Sequence, residues 1–516
     1  MLEATAAVPT VPERYNASLL LDDNLAAGRA DKIAIRCGDE AVTYGELFAR
    51  ACRFASLLGE IGVGRGERVL IVLDDCPSFP SAFLGAMRAG AVPIPVNPFY
   101  RGDEFGYFLG DSGAAAVVVG GACTDAVLAA AAGRVDAARV LHTDGEREGT
   151  TDLWRAAAQL PAEVQPADTH RDDPAFWLYS SGSTGRPKGV VHLQHDILYT
   201  CQTYGRRVLG IEERDVTYST TKLFHAYGLG NSLSFPYSVG ASTVLLTGRA
   251  TPDGVLDVVA RHRPTLFFSA PTLYNALLRA DDGSADFSSV RLCVSAAEPL
   301  PAEIWTRWHE RHGLVILDGI GSTEMLHIYC SNAVGDVTPG SSGRPVPGYE
   351  LKLVEDGDEV SGPGVGDLFV RGDSALAEYW NQPERTRATL RDGWFYSGDR
   401  YRRDGEGRYW YEGRADDMFK VSGLWVSPAT VEAALLEHSC VAESAVVVTL
   451  VEGLQRPKAF VVLREGVVAG AELEDELRTF CGGRLHRYEV PEVYAFVEEL
   501  PKTMTGKIQR YLLRER

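Results

Sequence analysis

The sequence predicts an α/β fold: a large N-terminal multi-layer α/β domain with mostly parallel sheets, followed by a small α+β C-terminal domain. Three observations lead to this prediction. Short apolar runs alternate with helix-length segments through most of the chain, and this pattern changes after about Gly413. The 516 residues are also too many for one ordinary compact domain. Hydrophobic residues at 45% and charged residues at 23% are typical of globular proteins.

The first clear element is a helix that begins after Thr43. The segment Thr43-Tyr44-Gly45-Glu46 reads as a capping box, in which the threonine and glutamate side chains each satisfy a backbone N–H group. Apolar residues then recur at helical spacing, at Leu47, Ala51, Phe54, Ala55 and Leu58. We therefore expect an amphipathic helix.

The run from Arg68 to Leu73 reads as a fully buried strand. Similar short runs recur along the chain at 117–119, 244–246, 266–268, 292–294 and 315–317. Helix-length segments rich in alanine and leucine lie between them, such as 124–132 and 271–279. This alternation is typical of parallel sheets covered by helices.

Beyond Gly413 the pattern indicates a smaller unit. A helix is predicted to start at Ser427-Pro428 and to end near His438. Further elements follow it, namely strands at 445–448 and 459–463, a helix around 472–480 and a strand at 493–497. We place the boundary near 414–416, which gives domains 1–414 and 415–516.

Charge and cysteine content exclude some classes of protein. A net charge of −19 disfavours nucleic acid as a general partner. Nine scattered cysteines without a C-x-x-C pair argue against a disulfide framework and a zinc site, which favours the reducing cytoplasm. The N-terminus lacks a signal-peptide pattern, and no window of 18 apolar residues predicts a membrane span.

A glycine-rich segment at 179–189 carries the clearest chemical signal. It reads Tyr-Ser-Ser-Gly-Ser-Thr-Gly-Arg-Pro-Lys-Gly, and it follows the apolar run 176–178. Glycines let the backbone approach an anion, hydroxyl and N–H groups donate to it, and a lysine offsets its charge. A surface turn rich in Ser, Thr and Gly is the structural alternative. The spacing does not fit the pattern G-x-x-x-x-G-K-[ST], which disfavours a kinase or GTPase.

The stretch 180–189 closely resembles the phosphate-loop signature of the adenylate-forming superfamily, which contains acyl-CoA synthetases, nonribosomal-peptide adenylation domains and beetle luciferases. The resemblance implies ATP as co-substrate. It also implies phosphate contacts from the loop residues Ser180, Ser181, Gly182, Ser183, Thr184, Gly185 and Lys188.

A second resemblance lies at 318–324. This stretch follows the apolar run 314–317, so we expect it to leave a sheet at a strand end. By resemblance, Thr323 contacts the α-phosphate and Glu324 coordinates Mg²⁺. A helix-capping turn is the structural alternative. The further nucleotide contacts that the resemblance implies are Asp318, Gly319, Ile320, Gly321 and Ser322, with Ala296, Ala297 and Glu298 along the adenine.

The resemblance continues toward the C-terminus. Asp399 matches the aspartate that accepts from the ribose hydroxyls, and Arg414 matches an arginine near ribose and phosphate. Asp416 matches the hinge about which a mobile small domain rotates between an adenylating and a thioester-forming pose. Within that domain, Lys420 and Gly423 match a loop that lines the pantetheine tunnel.

The segment 501–510 is the second strong match. Lys507 corresponds to the lysine that reaches the active site and stabilises charge during adenylation, a role suited to a long-stemmed ammonium group. A basic surface tail is the structural alternative.

Several stretches resemble benzoate-CoA ligases in particular. By that likeness His225 is a gate between the acid pocket and the CoA channel, with a catalytic base as the alternative. The pocket itself would be lined by Ala226, Tyr227, Gly230, Gly321, His327 and Ile328. Benzoate-type enzymes tend to have phenylalanine where His225 stands in this sequence. The histidine would suit a ring that carries an amino or hydroxyl group. Glu489 stands where lysine is common.

The resemblance therefore implies an AMP-forming aryl-CoA ligase with ATP, Mg²⁺, CoA and a small aromatic acid as its partners. A homodimer is one assembly that it allows. Two alternatives stay open. One is a free-standing adenylation enzyme that loads a carrier protein, and the other is a non-catalytic protein that keeps the fold and binds a nucleotide or an acyl group.

Overall fold

We describe the chain from a computed structural model. It covers residues 10–145, 147, 150–180, 186–281, 283–415, 417–421, 424–451, 453–502 and 508–514. The predicted site residues Ser181, Gly182, Ser183, Thr184, Gly185, Asp416, Gly423 and Lys507 lie outside these ranges.

The secondary structure alternates between strands and helices. The strands are β1 (Ile33–Cys37), β2 (Glu40–Thr43), β3 (Arg68–Val72), β4 (Val92–Pro95), β5 (Ala116–Val119), β6 (Val140–His142), β7 (Thr151–Asp152), β8 (Pro174–Ser180), β9 (Lys188–Leu193), β10 (Val216–Ser219), β11 (Ser242–Leu245), β12 (Leu266–Ser269), β13 (Leu292–Ser295), β14 (Ile316–Gly321), β15 (Ile328–Ser331), β16 (Arg344–Pro345), β17 (Glu350–Glu355), β18 (Asp358–Glu359), β19 (Gly364–Arg371), β20 (Glu378–Tyr379), β21 (Leu390–Arg391), β22 (Trp394–Arg403), β23 (Tyr409–Arg414), β24 (Phe419–Val421), β25 (Leu424–Val426), β26 (Val441–Val451), β27 (Leu454–Leu463) and β28 (Val493–Phe496). The helices are α1 (Leu19–Ala26), α2 (Tyr44–Glu60), α3 (Ser78–Arg88), α4 (Gly102–Ser112), α5 (Thr124–Ala131), α6 (Leu153–Ala157), α7 (Gln194–Thr200), α8 (Ala226–Leu229), α9 (Phe235–Val239), α10 (Pro252–His262), α11 (Pro271–Ala280), α12 (Ala302–His312), α13 (Pro383–Thr389), α14 (Pro428–Leu436), α15 (Ala471–Gly482) and α16 (Arg510–Arg514). π-Helical turns follow α7 and α8, and a 3₁₀ turn spans Thr323–Met325.

Two sheets are mainly parallel, which confirms the predicted fold class. The first has nine strands in the order β16-β15-β14-β13-β12-β10-β11-β1-β2, and it is parallel from β14 through to β1. The second has the order β4-β3-β5-β6-β7, and all its pairs are parallel. The predicted buried runs all lie in inner strands of these two sheets. Both faces of such a strand are covered, which explains why its residues are almost all apolar.

The helix predicted after Thr43 is α2, and its capping box is present. The amide of Glu46 donates to Thr43 Oγ1 at 3.2 Å, and the amide of Thr43 donates to the Glu46 carboxylate at 2.9 Å. The five apolar residues predicted for its inner face are all buried. This helix packs against α3, which carries Gly85 at the contact: a Cβ there would lie 2.6 Å from the carbonyl oxygen of Ala51.

A large antiparallel sheet, formed by strands at the end of the predicted N-terminal domain, was not anticipated. It has the order β18-β17-β19-β22-β21, and β23 pairs with β22. A smaller antiparallel sheet, β20-β9-β8, brings β9, the strand that follows the glycine-rich segment, beside residues about 190 positions further along.

The C-terminal unit has its own core. Helices α14 and α15 cover a sheet of β26, β27 and β28, and Leu435, Val461 and Leu477 are fully buried between them. Both helices and all three strands were predicted. The strands β26 and β27 extend beyond the predicted bounds because they form one long hairpin. The boundary at 414–416 remains a prediction. In the described ranges, no helix is long and apolar enough to cross a membrane.

Candidate active site

The glycine-rich segment joins two paired strands. Ser180 ends β8 and Lys188 begins β9, and the two residues are partners in the antiparallel register. Lys188 Nζ lies 4.8 Å from the centre of the Tyr379 ring. Burial lowers the pKa of Lys188, and the nearby Glu324 carboxylate opposes this shift. A partly buried cation therefore stands at the C-terminal end of the segment, where an anionic group of a ligand would stabilise it further.

Glu324 faces this lysine from the 3₁₀ turn at Thr323–Met325. Its side chain is buried, and the Tyr379 hydroxyl donates to Oε1 at 2.9 Å. The pairing of β20 with β9 brings Tyr379 to this place, because Tyr379 is the register partner of Val190. Burial and the Glu324 charge both raise the pKa of Tyr379, so its hydroxyl remains a donor. Lys188 and Glu324 are thus brought together, with Thr323 next to Glu324 in the turn and with a tyrosine that sequence reasoning missed.

The position of residues 318–321 corrects one prediction. These residues do not leave the sheet; β14 continues through Gly321 and pairs with β15. Two glycines make this possible by close backbone approach: a Cβ at Gly319 would lie 2.8 Å from the Cys330 carbonyl oxygen, and one at Gly321 would lie 2.5 Å from the His327 carbonyl oxygen. Ile320 lies between them in the same strand, and Ser322 caps the turn that follows by accepting from the Met325 amide.

Asp318 is buried near the start of this strand extension. Burial raises the pKa of its carboxyl well above the usual range. Its Oδ1 atom has no hydrogen-bond partner within the described ranges. On the neighbouring strand, β13 ends at Ser295, and Ala296 and Ala297 lead toward α12; Ala297 has a left-handed φ of 76°. The Glu298 carboxylate accepts from Thr272 Oγ1 at 2.6 Å.

Asp399 and Arg414 are direct partners across β22 and β23. Arg414 Nη1 donates to Asp399 Oδ1 at 3.1 Å and to the Ser397 carbonyl at 3.0 Å. Gly398 has a φ of 72°, and a Cβ there would lie 2.8 Å from the Arg414 guanidinium. The fifteen positions that separate Asp399 from Arg414 in the sequence therefore correspond to one β-hairpin. In the small unit, Lys420 lies exposed on β24.

The residues predicted to line the acid pocket converge on His327. A Cβ at Gly230 would lie 2.5 Å from the His327 ring, so only glycine leaves room for the ring. The rings of Tyr204, Tyr227 and Phe235 lie with their centres 5.2, 5.5 and 4.6 Å from it. His327 Nε2 lies 3.2 Å from Asn231 Oδ1. These contacts form a compact aromatic cluster beside the turn that carries Glu324.

The other predicted pocket residues flank this cluster. Ile328 comes directly after His327, begins β15 and is buried, and Ala226 begins α8. His225 is the N-cap residue of α8, where its ring lies 4.4 Å from that of Phe224. Its backbone amide donates to the Lys222 carbonyl at 3.0 Å.

Two family models match the chain. The model of AMP-binding enzymes matches residues 22–380, and the model of their C-terminal domain matches residues 430–507. The chain belongs to the AMP-binding enzyme family.

Relatives of this AMP-binding enzyme cover nearly its whole length. It is 45% identical to the benzoate--CoA ligase of Thauera aromatica, over 98% of this chain and 96% of that one. The structure of the anthranilate CoA ligase AuaEII in complex with anthranoyl-AMP has a TM-score of 0.94 and 38% identity, with 98% of each chain covered. The benzoate CoA ligase from Burkholderia xenovorans LB400 has a TM-score of 0.90 and 42% identity, over 97% of this chain and 99% of that one.

Sequence reasoning missed four side chains of this AMP-binding enzyme's site. Tyr204, Phe235, His192 and Tyr379 contact predicted site residues. His192 lies three residues after the glycine-rich segment and Phe235 five residues after Gly230, so proximity in the sequence was a usable signal for these two. Tyr204 and Tyr379 had no such signal.

The buried His327 gives this enzyme a pH-dependent stability. Burial lowers its pKa from 6.5 to about 3. Between these values the unfolded state binds a proton that the folded state does not, so stability falls as pH decreases below 6.5, by at most about 1.4 kcal/mol per pH unit. We expect thermal unfolding at pH 5 to occur at lower temperature than at pH 7. His327→Phe should reduce this difference; an equal difference in both proteins would contradict the assignment.

Proposed function

We propose that this protein is an ATP-dependent aryl-CoA ligase that activates benzoate, or an amino- or hydroxy-substituted benzoate, as an acyl-adenylate. The carboxylate attacks the α-phosphate of ATP and pyrophosphate leaves; the CoA thiol then displaces AMP to form the thioester. The observation that carries this proposal is the 45% identity to a benzoate--CoA ligase along nearly the whole chain.

The chemistry needs no protein nucleophile, so the protein contributes position and charge. Lys188 and Glu324 are already close in the described structure, which supports their assignment to the phosphate side of the site. We assign Thr184 and Thr323 to phosphate contacts and Lys507 to charge stabilisation during adenylation. Asp399 would accept from the ribose hydroxyls once Arg414 yields its contact.

Glu324 is suited to hold Mg²⁺. It offers a buried carboxylate next to a cationic lysine, and hard cations prefer oxygen ligands. In the described ranges no group of three or more potential metal ligands occurs. One carboxylate would be sufficient to hold such an ion, because substrate and water oxygens could supply its other ligands. Such an ion would neutralise charge on the leaving pyrophosphate.

The acid side of the site supports a flat aromatic substrate. The rings of Tyr227 and His327 lie with their centres 5.5 Å apart, and Gly230 and Gly321 leave the space that His327 occupies; we assign this aromatic cluster to the wall of the acid pocket. Aromatic rings stack with offset or edge-on geometry at such distances. His225, where benzoate-type enzymes tend to have phenylalanine, would contact a polar ring substituent.

CoA is the acceptor that the relatives favour, since those described above are all named CoA ligases. We assign Lys420 and Gly423 to its channel, and Asp416 to the hinge that turns the small domain. The nine cysteines are free, which supports a cytoplasmic location.

A pyrophosphate-release screen tests the proposal. Purified protein would be assayed with ATP and Mg²⁺ against substituted benzoates, cinnamates and short aliphatic acids. We expect release with benzoate or its 2-amino and hydroxy relatives. A strong preference for aliphatic acids would overturn the pocket assignment, and no acid-dependent release with any acid would overturn the ligase assignment. Comparing AMP release with CoA and with a holo carrier protein identifies the acceptor.

A further inference from the structure

The turn that carries Thr323 and Glu324 is anchored through three consecutive carbonyl groups. The backbone carbonyl oxygen of Thr323 lies 2.8 Å from His192 Nε2. The carbonyl oxygen of Glu324 accepts from the Leu376 amide at 2.7 Å, and that of Met325 accepts from Ser374 Oγ at 2.9 Å. Only the first of these carbonyls belongs to the peptide that joins Thr323 to Glu324. The orientation of this peptide determines how the two side chains are directed relative to each other.

The His192 ring is held by a stacked ring and by a contact at each of its two nitrogens. It is fully buried, and Phe176 stacks on it with ring centres 5.2 Å apart and an interplanar angle of 21°. Its Nδ1 atom lies 2.8 Å from Asp196 Oδ2. A carbonyl oxygen can only accept, so the hydrogen-bond network assigns a hydrogen to Nε2. His192 is therefore a donor of fixed direction to the Thr323 carbonyl.

Asp196 is itself fixed at the beginning of α7. It is fully buried, and its Oδ2 atom also accepts from the Leu193 amide at 3.1 Å. Its Oδ1 atom lies 3.2 Å from His195 Nε2. A carboxylate beside one ring nitrogen of a functional histidine is a recurring device, because it fixes the plane of the ring.

We propose that His192, oriented by Asp196, is a positioning residue for adenylation that holds the Thr323–Glu324 peptide in its productive orientation. The inference rests on the proposed function, which assigns Thr323 to the α-phosphate and Glu324 to Mg²⁺. His192 touches neither substrate nor metal in this scheme. It acts through the peptide, so its loss should reduce the rate of adenylation more than the binding of the acid.

Substitution of His192 by glutamine or by asparagine distinguishes the contact of Nε2 with the Thr323 carbonyl from the contact of Nδ1 with Asp196. The glutamine amide in His192→Gln can occupy the place of Nε2 and donate to the Thr323 carbonyl, whereas the asparagine amide in His192→Asn reaches only the place of Nδ1. We expect His192→Asn to lower the kcat of acid-dependent pyrophosphate exchange by about 10- to 100-fold, with the KM for the acid little changed. His192→Gln should recover most of this loss.

Ser374→Ala is the matched control. It removes the anchor of the Met325 carbonyl from the same turn, and Ser374 is equally buried. We expect it to lower the unfolding temperature without the loss in kcat. A fall in kcat that is equal in His192→Asn, His192→Gln and Ser374→Ala would show a merely structural role and overturn the inference.

A measurement on the unsubstituted protein covers the case in which His192→Asn does not fold. Nitrogen-15 NMR should show a slowly exchanging ring Nε2–H signal that disappears in His192→Gln; its absence would overturn the inference. The wild-type exchange assay separates the two proposals. If the wild-type protein is inactive with every aryl acid, the proposed function is overturned and this inference with it. If the wild-type protein is active and His192→Asn is equally active, only this inference is overturned.

Discussion

Lys507→Ala should abolish adenylation while a preformed acyl-adenylate still reacts with CoA. Removing one group that stabilises developing charge typically lowers the rate by about 10²- to 10³-fold, and the second half-reaction does not form that charge. Acid-dependent pyrophosphate exchange measures the first step. Thioester formation from synthetic benzoyl-adenylate and CoA measures the second.

Lys502→Ala is the control for this substitution, since it removes a lysine from the same segment. Lys502 is paired with Glu443 at 2.6 Å, and the pair is partly exposed, so its loss should cost little. Its backbone also pairs with that of Ile508. An equal loss of both half-reactions in Lys507→Ala would count against the assignment of this lysine to adenylation.

Glu324→Gln should give the second large effect. The amide oxygen can still accept from the Tyr379 hydroxyl, so the local structure should persist while the negative charge is lost. Without that charge, Mg²⁺ and the phosphates would be held poorly, and we expect adenylation to fall by about 10²- to 10³-fold. Pyrophosphate exchange as a function of Mg²⁺ concentration tests this, together with the thermal unfolding curve.

Glu378→Gln provides the comparison, because Glu378 precedes Tyr379 on the same short strand and is exposed. It should leave both the rate and the Mg²⁺ dependence unchanged. If Glu324→Gln behaves in the same way at every Mg²⁺ concentration, Glu324 is not the metal ligand.

The parts of the fold that were predicted are those whose signals are local. The capping box at Thr43, the buried parallel strands and the Ser427 helix start each depend on a few neighbouring residues. The antiparallel sheet of β17, β19 and β22 was missed because its strands carry many charged residues. In β22, for example, Arg400 is buried through ion pairs with Glu355 and Asp367, which no local pattern reveals.

The candidate site divides in the same way. Lys188, Glu324 and the Asp399–Arg414 pair were predicted because they lie in short motifs. Tyr379 was not found, since its contact with Glu324 depends on the pairing of β20 with β9. The extension of β14 through Gly321 was also missed, because two glycines in a strand read as a loop until the close backbone of β15 is known.

On the proposed assignment of His327 and Ile328 to the acid pocket, the short distance along the chain between Glu324 and His327 limits how acid preference can evolve. A substitution at His327 or Ile328 alters residues directly after the turn that carries the phosphate-side residues, so a new specificity gained there would tend to slow the chemistry. Ala226 lies on α8, on a separate segment of the chain. We therefore expect descendants of this enzyme to acquire new acids first through changes at the start of α8, and to retain the sequence between Gly321 and Ile328 almost unchanged.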